Sequence, residues 1–406
     1  MSKEHYFERY AWQPPIMPDY VPPEDLEMVI VVPAYKEPDL LSAISSLLNC
    51  TPIPCKMVVL VVINGPEDGL VEDLLINQQS YDALQNLSTG TLIQIKAIQI
   101  YLPKKKAGVG LARKIGMDEA ARWFKKLNKS GIIVSYDADC RCSPDYLSCI
   151  HNAYKNKKLQ ASVIYYEHPL DEESGIIAYE LGLRYYIDAL RYSGYPHAYQ
   201  TLGSCMTIKS AHYCKYGGMN TRKAGEDFYF LNKMAIQPGF FELNNTTVYP
   251  SARISDRVPF GTGRALGNYL SHPNEPFSTY HPQIFKDLKS FLYVLPHLAK
   301  KQKIALPEAI ETYLDSISFS DQLTKLLKNS ANDASFFKQF FGWFDAFLIL
   351  KYVHFARDNY YENIDLSTAL SSLNTNYWRI NAFDKMVVKD QLMAIRTLNR
   401  RPLETY

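Results

Sequence analysis

The sequence lacks a long apolar run, and that absence removes the integral-membrane classes first. A spanning helix needs roughly 20 predominantly apolar residues. The most apolar stretch, 336–350, is interrupted by Lys338 and Asp345, with Lys351 just beyond. The opening residues MSKEHYFERYAWQPP are charged and aromatic, without the apolar core of a secretory signal. Cysteine is sparse and unpatterned: Cys50, Cys55, Cys140, Cys142, Cys149, Cys205 and Cys214 form an odd set with no CxxC pair. That leaves no sequence case for a zinc motif or a disulfide scaffold, and reduced thiols in the cytoplasm are the simplest expectation. Charge of one sign is missing too. With 44 Lys and Arg against 42 Asp and Glu the net charge is +2, so the basic face that nucleic acid requires is not expected. Neither an internal repeat nor a low-complexity segment occurs.

What is present is a globular composition, 47% hydrophobic and 21% charged over 406 residues, enough for one large domain plus an addition. Residues 1–27 are rich in proline and aromatics and read as an extended arm. The run 28–33 (MVIVVP) is continuously apolar, as in a strand buried on both faces, and 56–64 (KMVVLVVIN) is a second such strand. Helical spacing follows at 38–49 and 70–87, a strand at 92–101, a helix at 108–127, a strand at 131–136 and a helix from Ser143. Beyond these, 161–166 and 205–208 read as strands, and 175–192 and the segment from Glu226 as helices. This alternation predicts an α/β fold with a mostly parallel sheet covered by helices on both faces. After about Pro282 strand signals cease, and helices are expected at 284–300 (kinked at Pro296), 307–316 and 334–358. The predicted division is therefore arm 1–27, α/β domain 28–275 and helical subdomain 276–406. Phe336, Phe337, Phe340, Phe341, Phe344, Phe347 and Leu348 repeat at helical spacing. A buried amphipathic helix is the leading reading of that stripe, and peripheral contact with a membrane surface is the alternative.

In a parallel sheet, ligands bind beyond the carboxyl ends of the strands, which here are 33–37, 64–68 and 136–141. Asp137 and Asp139 stand just after the apolar strand, where two carboxylates two positions apart can share Mg²⁺ or Mn²⁺ and a ribose. At the first strand end, Pro33 stops the strand, Tyr35 offers a ring to a base and Glu37 a hydrogen-bond acceptor, although an ordinary strand-to-helix connection has the same residues. Lys104-Lys105-Lys106 with Gly108 and Arg113 joins cations to a helix start, a setting that favours phosphate, although a solvated basic turn has the same composition. Glu226 and Asp227 open a predicted helix. They either cap it or supply a general base. The segment 251–264, with Arg253, Arg257 and Arg264, is either a surface loop or one that closes over a diphosphate.

Taken in order, VVPAYKEP, KKAGVGLARKIGMDEA, IIVSYDADCRCSPDYL and GGMNTRKAGEDFYFLNKM resemble the family 2 glycosyltransferases of the GT-A fold, over roughly 29–250. The resemblance implies a nucleotide-diphosphate sugar donor, a carbohydrate or other hydroxyl acceptor, a divalent metal, and transfer with inversion. Carried over by position, Pro33, Tyr35 and Glu37 lie near base and ribose, and Asn64 stands where the family often has an aspartate that reads the base. Lys106, Gly108 and Arg113 fall near the diphosphate, Asp137 at ribose and metal, and Asp139 at the metal. Asp227 is then the base that deprotonates the acceptor, assisted by Glu226. His272 and His281 are candidates for a further metal ligand.

Two other classes share parts of this pattern. Sugar nucleotidyltransferases use the same sheet and metal-bound carboxylates, but with a glycine-rich basic loop after the first strand, which PAYKEP is not. A non-catalytic nucleotide-sugar-binding protein has no need of both acid pairs.

Overall fold

The computed structural model describes residues 3–87, 90–170, 174–222, 225–253, 277–300, 302 and 304–401. His272 and the loop positions 254–264 lie outside that set. The chain forms two compact units.

The first unit is built on an eight-stranded sheet. Its elements in chain order are α1 (Lys3–Arg9), β1 (Leu26–Ala34), α2 (Leu40–Leu48), β2 (Lys56–Pro66), α3 (Val71–Gln85) and β3 (Ile93–Leu102). Then come α4 (Val109–Lys126), β4 (Ile132–Ser135), β5 (Arg141–Cys142), α5 (Tyr146–Ala153) and β6 (Ala161–Tyr166). After α6 (Ser174–Tyr192), which belongs to the second unit, follow β7 (Met206–Lys209), α7 (Ser210–Lys215), α8 (Glu226–Ala235) and β8 (Phe240–Tyr249). The strand order is β3-β2-β1-β4-β7-β6-β8-β5. Strands β3, β2, β1 and β4 run parallel, β7 is antiparallel to both its neighbours, and β6 and β8 are parallel. This is the mostly parallel, helix-flanked α/β sheet expected from the sequence.

Buried apolar runs explain the centre of the sheet. Val29 through Val32 and Val58 through Val62 are fully buried, so both faces of β1 and β2 are covered. Pro33 does not end β1, which continues to Ala34. Pairing between β1 and β4 covers only Met28 to Val31, so the missing N–H of Pro33 falls beyond that ladder. Helix α4 lies so close to β1 that a Cβ on Gly116 would come within 2.4 Å of Val31 Cγ1.

The N-terminal arm departs from expectation. It begins with a helix and is laced to α4 instead of simply extending. The hydroxyls of Tyr6 and Tyr213 donate to Asp118 Oδ1 at 2.5 and 2.7 Å, and Trp12 N–H donates to Oδ2 at 2.7 Å. Lys114 pairs with the same carboxylate at 2.9 Å. Further along, Glu119 accepts from Ile16 N–H, and Lys126 donates to Pro18 O. Because the sheet covers one side of α4 and the arm another, even its charged residues Asp118, Glu119 and Arg122 are buried. Strand β8 and the short β5 and α7 carry no clear sequence signal. The polar tract Glu242-Leu243-Asn244-Asn245 breaks the apolar pattern of β8.

The second unit groups 170–200 with the C-terminal helices, whereas a single cut near 275 would divide them. Its helices after α6 are α9 (Pro282–Ala299), α10 (Glu308–Ser316), α11 (Phe319–Asn329), α12 (Asp333–Trp343), α13 (Ala346–Asn359), α14 (Leu366–Leu373) and α15 (Val388–Asn399). Pro296 lies inside α9. A two-stranded ribbon joins β9 (Ser278–Thr279) to β10 (Ile364–Asp365), so strand structure does recur after Pro282. The helix expected over 334–358 is two. Asp345 interrupts it by accepting the N–H groups of Phe347 and Leu348, which caps α13. Phe340 and Phe344 are buried against Phe291, and Phe336 against Phe340, whereas Phe337, Phe341, Phe347 and Leu348 are half-buried. Among the described residues no helix is long and apolar enough to cross a membrane.

Asp118 carries the arm's attachment. Asp118→Ala strands a buried lysine and two tyrosine hydroxyls and should cost about 3–5 kcal/mol in urea unfolding. Lys114→Met in the same background should recover part of that loss. A cost below about 1 kcal/mol would show that the network contributes little.

Candidate active site

Four segments meet at the carboxyl end of β4. Ser135 closes the strand, and the next residues carry Asp137 and Asp139, both half-buried. From α4 comes Arg113, only 2% exposed. Its Nη1 donates to Ser135 Oγ at 2.6 Å, Asp137 Oδ1 at 2.9 Å and Gly203 O at 3.0 Å, and its Nε donates to Glu226 Oε1 at 3.2 Å. Burial opposes the charge of Arg113, but Asp137, Glu226 and Asp227 together outweigh it and push its pKa up. Gly203 is required by this packing, since a Cβ there would stand 2.5 Å from Arg113 Nη2.

Glu226 and Asp227 form the first turn of α8. Glu226 is buried and faces Arg113, whereas Asp227 accepts its neighbour Phe228 N–H at 2.7 Å. The Asp227 carboxyl is half-buried and walled in by protein, and its pKa is raised to about 7. Burial is the first cause and the charge of Glu226 the second, against the opposing pull of Arg113. Two adjacent acids thus divide. One is paired with a guanidinium, and the other is left to titrate near neutrality.

The first strand end is held by side chains from α3 and by Arg253. Tyr35 donates to Asp73 Oδ2 at 2.8 Å, and Lys36 N–H donates to Asn77 Oδ1 at 2.8 Å, holding Lys36 at φ 38. Left-handed backbone at a non-glycine residue is uncommon and recurs at ligand-facing turns. Glu37 is buried and accepts both Arg253 Nη2 contacts, at 2.6 and 2.8 Å, while Asp39 accepts Arg253 Nη1 at 2.9 Å. In this structure the Glu37 carboxylate is therefore committed to a guanidinium that also lies in the field of Asp139. Asn64 is buried as well. It donates to Ala34 O and accepts from Gly108 N–H, tying the start of α4 to the end of β1. Lys106 is exposed on the preceding turn.

Asp137, Glu226, Asp227 and Arg113 are thus drawn into one cluster, and Asp139 sits two residues from Asp137. Pro33, Tyr35, Glu37, Asn64 and Gly108 line the neighbouring strand ends. His281 belongs to the second unit, where its Nδ1 accepts Gln283 N–H at the start of α9. Ser135, Gly203 and Arg253 join the arrangement without having been singled out as binding or catalytic positions. Only Arg253 carried a signal, as a cation in a polar loop.

No protein-family model matches the chain, and no curated protein matches it. Among solved structures it is similar to S. aureus TarS 1-349, at 14% identity over 56% of this chain and 61% of that one, with a TM-score of 0.38. A TarS 1-349 structure in complex with UDP-GlcNAc is 12% identical over 92% of this chain and 90% of that one, with a TM-score of 0.40. GalNAc-T7 with UDP, GalNAc and Mn²⁺ is 12% identical over 72% and 54%, with a TM-score of 0.37. The chain spans less than two thirds of the first and third of these structures. Likeness at this level does not assign a ligand or an activity, and the functional reading rests on the site.

The raised pKa of Asp227 has a stability consequence with a definite sign. The unfolded chain ionises this carboxyl near 4 and the folded chain near 7. Across that window the folded state binds more protons, so the contribution of Asp227 to stability falls as pH rises. Asp227→Asn should therefore be more stable than the parent at pH 8, by on the order of 1–3 kcal/mol, with the gap closing by pH 4. Denaturation at the two pH values checks this, and an equal difference at both would contradict the raised pKa.

Proposed function

We propose that this chain is a glycosyltransferase of the family 2 type, moving a sugar from a nucleotide-diphosphate donor to an acceptor hydroxyl with inversion. One observation carries the reading: Arg113 bonds Asp137 just past β4 and Glu226 at the start of α8, and Asp227 lies in the field of all three, at the sheet edge where α/β folds bind ligands. A general base near neutrality beside paired carboxylates suits deprotonation of an alcohol next to a bound diphosphate.

In this mechanism Asp227 accepts the acceptor's hydroxyl proton as the oxygen attacks the anomeric carbon. The bond from that carbon to the diphosphate oxygen breaks, and its electron pair departs with the nucleoside diphosphate. Attack from the opposite face inverts the centre. Glu226, held by Arg113, keeps a negative charge beside Asp227 and so maintains its basicity. Arg113 is sealed from solvent and fixes the Asp137 carboxylate in position.

The residues suit a hard divalent ion. The side chain of Asp137 is 33% exposed, and while Oδ1 accepts from Arg113, Oδ2 has no hydrogen bond from the described residues. Asp139 adds a second half-buried carboxylate. Mg²⁺ or Mn²⁺ held there would supply Lewis-acid neutralisation of the departing diphosphate. Tyr35 and Pro33 border the space for the base, Glu37 and Asn64 shape it, and Gly108 with the exposed Lys106 faces the phosphates.

UDP or GDP should bind only with Mn²⁺ or Mg²⁺, and Asp139→Ala should remove that metal-dependent binding in calorimetry. Unchanged nucleotide affinity in the variant would contradict the metal assignment. Asp227→Asn should keep donor binding and lose transfer by about 10²–10⁴-fold; retained turnover would place the base elsewhere. In the parent enzyme the rate should fall as pH drops through about 7, where Asp227 takes up its proton.

A further inference from the structure

The opposite ends of the same strands carry a second group of metal-binding side chains, independent of the reading above. Glu27 is the second residue of β1, Cys55 immediately precedes β2, and His151 lies in the last turn of α5. One ligand atom from each lies within 4.8 Å of the others. His151 Nε2 and Glu27 Oε2 are already 3.1 Å apart, close to the roughly 3.3–3.6 Å between neighbouring ligand atoms around tetrahedral zinc. The thiol of Cys55 is buried, with 4% of the residue exposed, and accepts or donates no hydrogen bond among the described residues. Glu27, half-exposed at 50%, leaves one side open to solvent.

We propose that Glu27, Cys55 and His151 form a structural binding site for a single Zn²⁺ ion. The donor set is thiolate, imidazole and carboxylate, which suits zinc and disfavours the harder Mg²⁺ and Mn²⁺ expected at Asp137 and Asp139. On binding, Cys55 gives up its thiol proton to solvent, the sulfur lone pair bonds the metal, neutral His151 and ionised Glu27 contribute one lone pair each, and water completes the tetrahedron. Oxidation states do not change. Burial and the charge of Glu27 push the Cys55 thiol up to about 11, so it is protonated without the metal and one proton is released per ion bound. Lys209, the cation in the field of Glu27, is the charge that the metal must compete with. The site would tie α5 to the amino ends of the two central strands, away from the proposed catalytic edge. The His151–Glu27 contact at 3.1 Å already makes that connection between α5 and β1.

Purified full-length protein should be stripped of metal and titrated with Co²⁺ and Zn²⁺. The expected result is a thiolate-to-cobalt charge-transfer band with tetrahedral d–d absorption at one equivalent, and a rise in Tm with zinc. Both should persist in Asp139→Ala and disappear in Cys55→Ser. His151→Ala, at a position that does not close the core, serves if the serine variant fails to fold, and it should weaken cobalt binding by about 10–100-fold. Absence of the band in the parent protein would overturn the proposal. So would its persistence in Cys55→Ser or undiminished binding in His151→Ala.

Discussion

Burying a guanidinium takes its charge out of water, and the loss is offset only where matched acceptors surround it. Arg113 meets this condition with four of them, drawn from the end of β4, the residue after it but one, the backbone at Gly203 and the start of α8. The end of β4, Gly203 and the start of α8 are far apart in sequence. The cation bonds to all three at once, alongside the β4–β7 ladder that pairs Ser135 with Met206. It fixes Asp137, and it pins Glu226 so that the next residue along the helix faces the same recess. Lysine could not replace it, because one ammonium cannot address this spread of acceptors from a planar fork.

The electrostatic division between the two acids of α8 follows from that arrangement. Glu226 receives the ion pair directly. Asp227 receives the same cation only through space, together with the negative charge of Glu226 and the protein around it, and the sum leaves it titrating near neutral pH. At the first strand end a second arginine acts similarly, with Arg253 gripping Glu37 in two short contacts. Both arginines neutralise carboxylates at these strand ends, which suits the diphosphate donor proposed above. Asp137 and Asp139 keep the half-exposed oxygens through which a metal can be held.

Much of this was legible in the sequence. The continuous runs at 28–33 and 56–64 could only be buried strands, and their alternation with helices dictated a parallel sheet whose carboxyl ends hold the site. The acids Asp137, Asp139, Glu226 and Asp227 stood out because each pair falls at an element boundary. The rest depended on partners distant along the chain. Nothing local marks Gly203 as the residue against which Arg113 must fit, or Arg253 as the partner of Glu37, 216 positions away. Glu27, Cys55 and His151 have no motif spacing and meet only because β1, β2 and α5 bring them together. The polar centre of β8 hid that strand, and the cap formed by Asp345 split what the phenylalanine period suggested was one helix. The arm was misread because its anchor, Asp118, lies more than a hundred residues downstream.

Whether this cluster transfers a glycosyl group is read most directly from the products. The protein should be incubated with UDP-, GDP- and dTDP-sugars in turn, each with Mn²⁺, while nucleoside diphosphate is quantified. Glycosyl transfer requires release of nucleoside diphosphate from a particular donor, dependent on the metal. Release from none of them, or formation of pyrophosphate from a nucleoside triphosphate and a sugar phosphate instead, would contradict it.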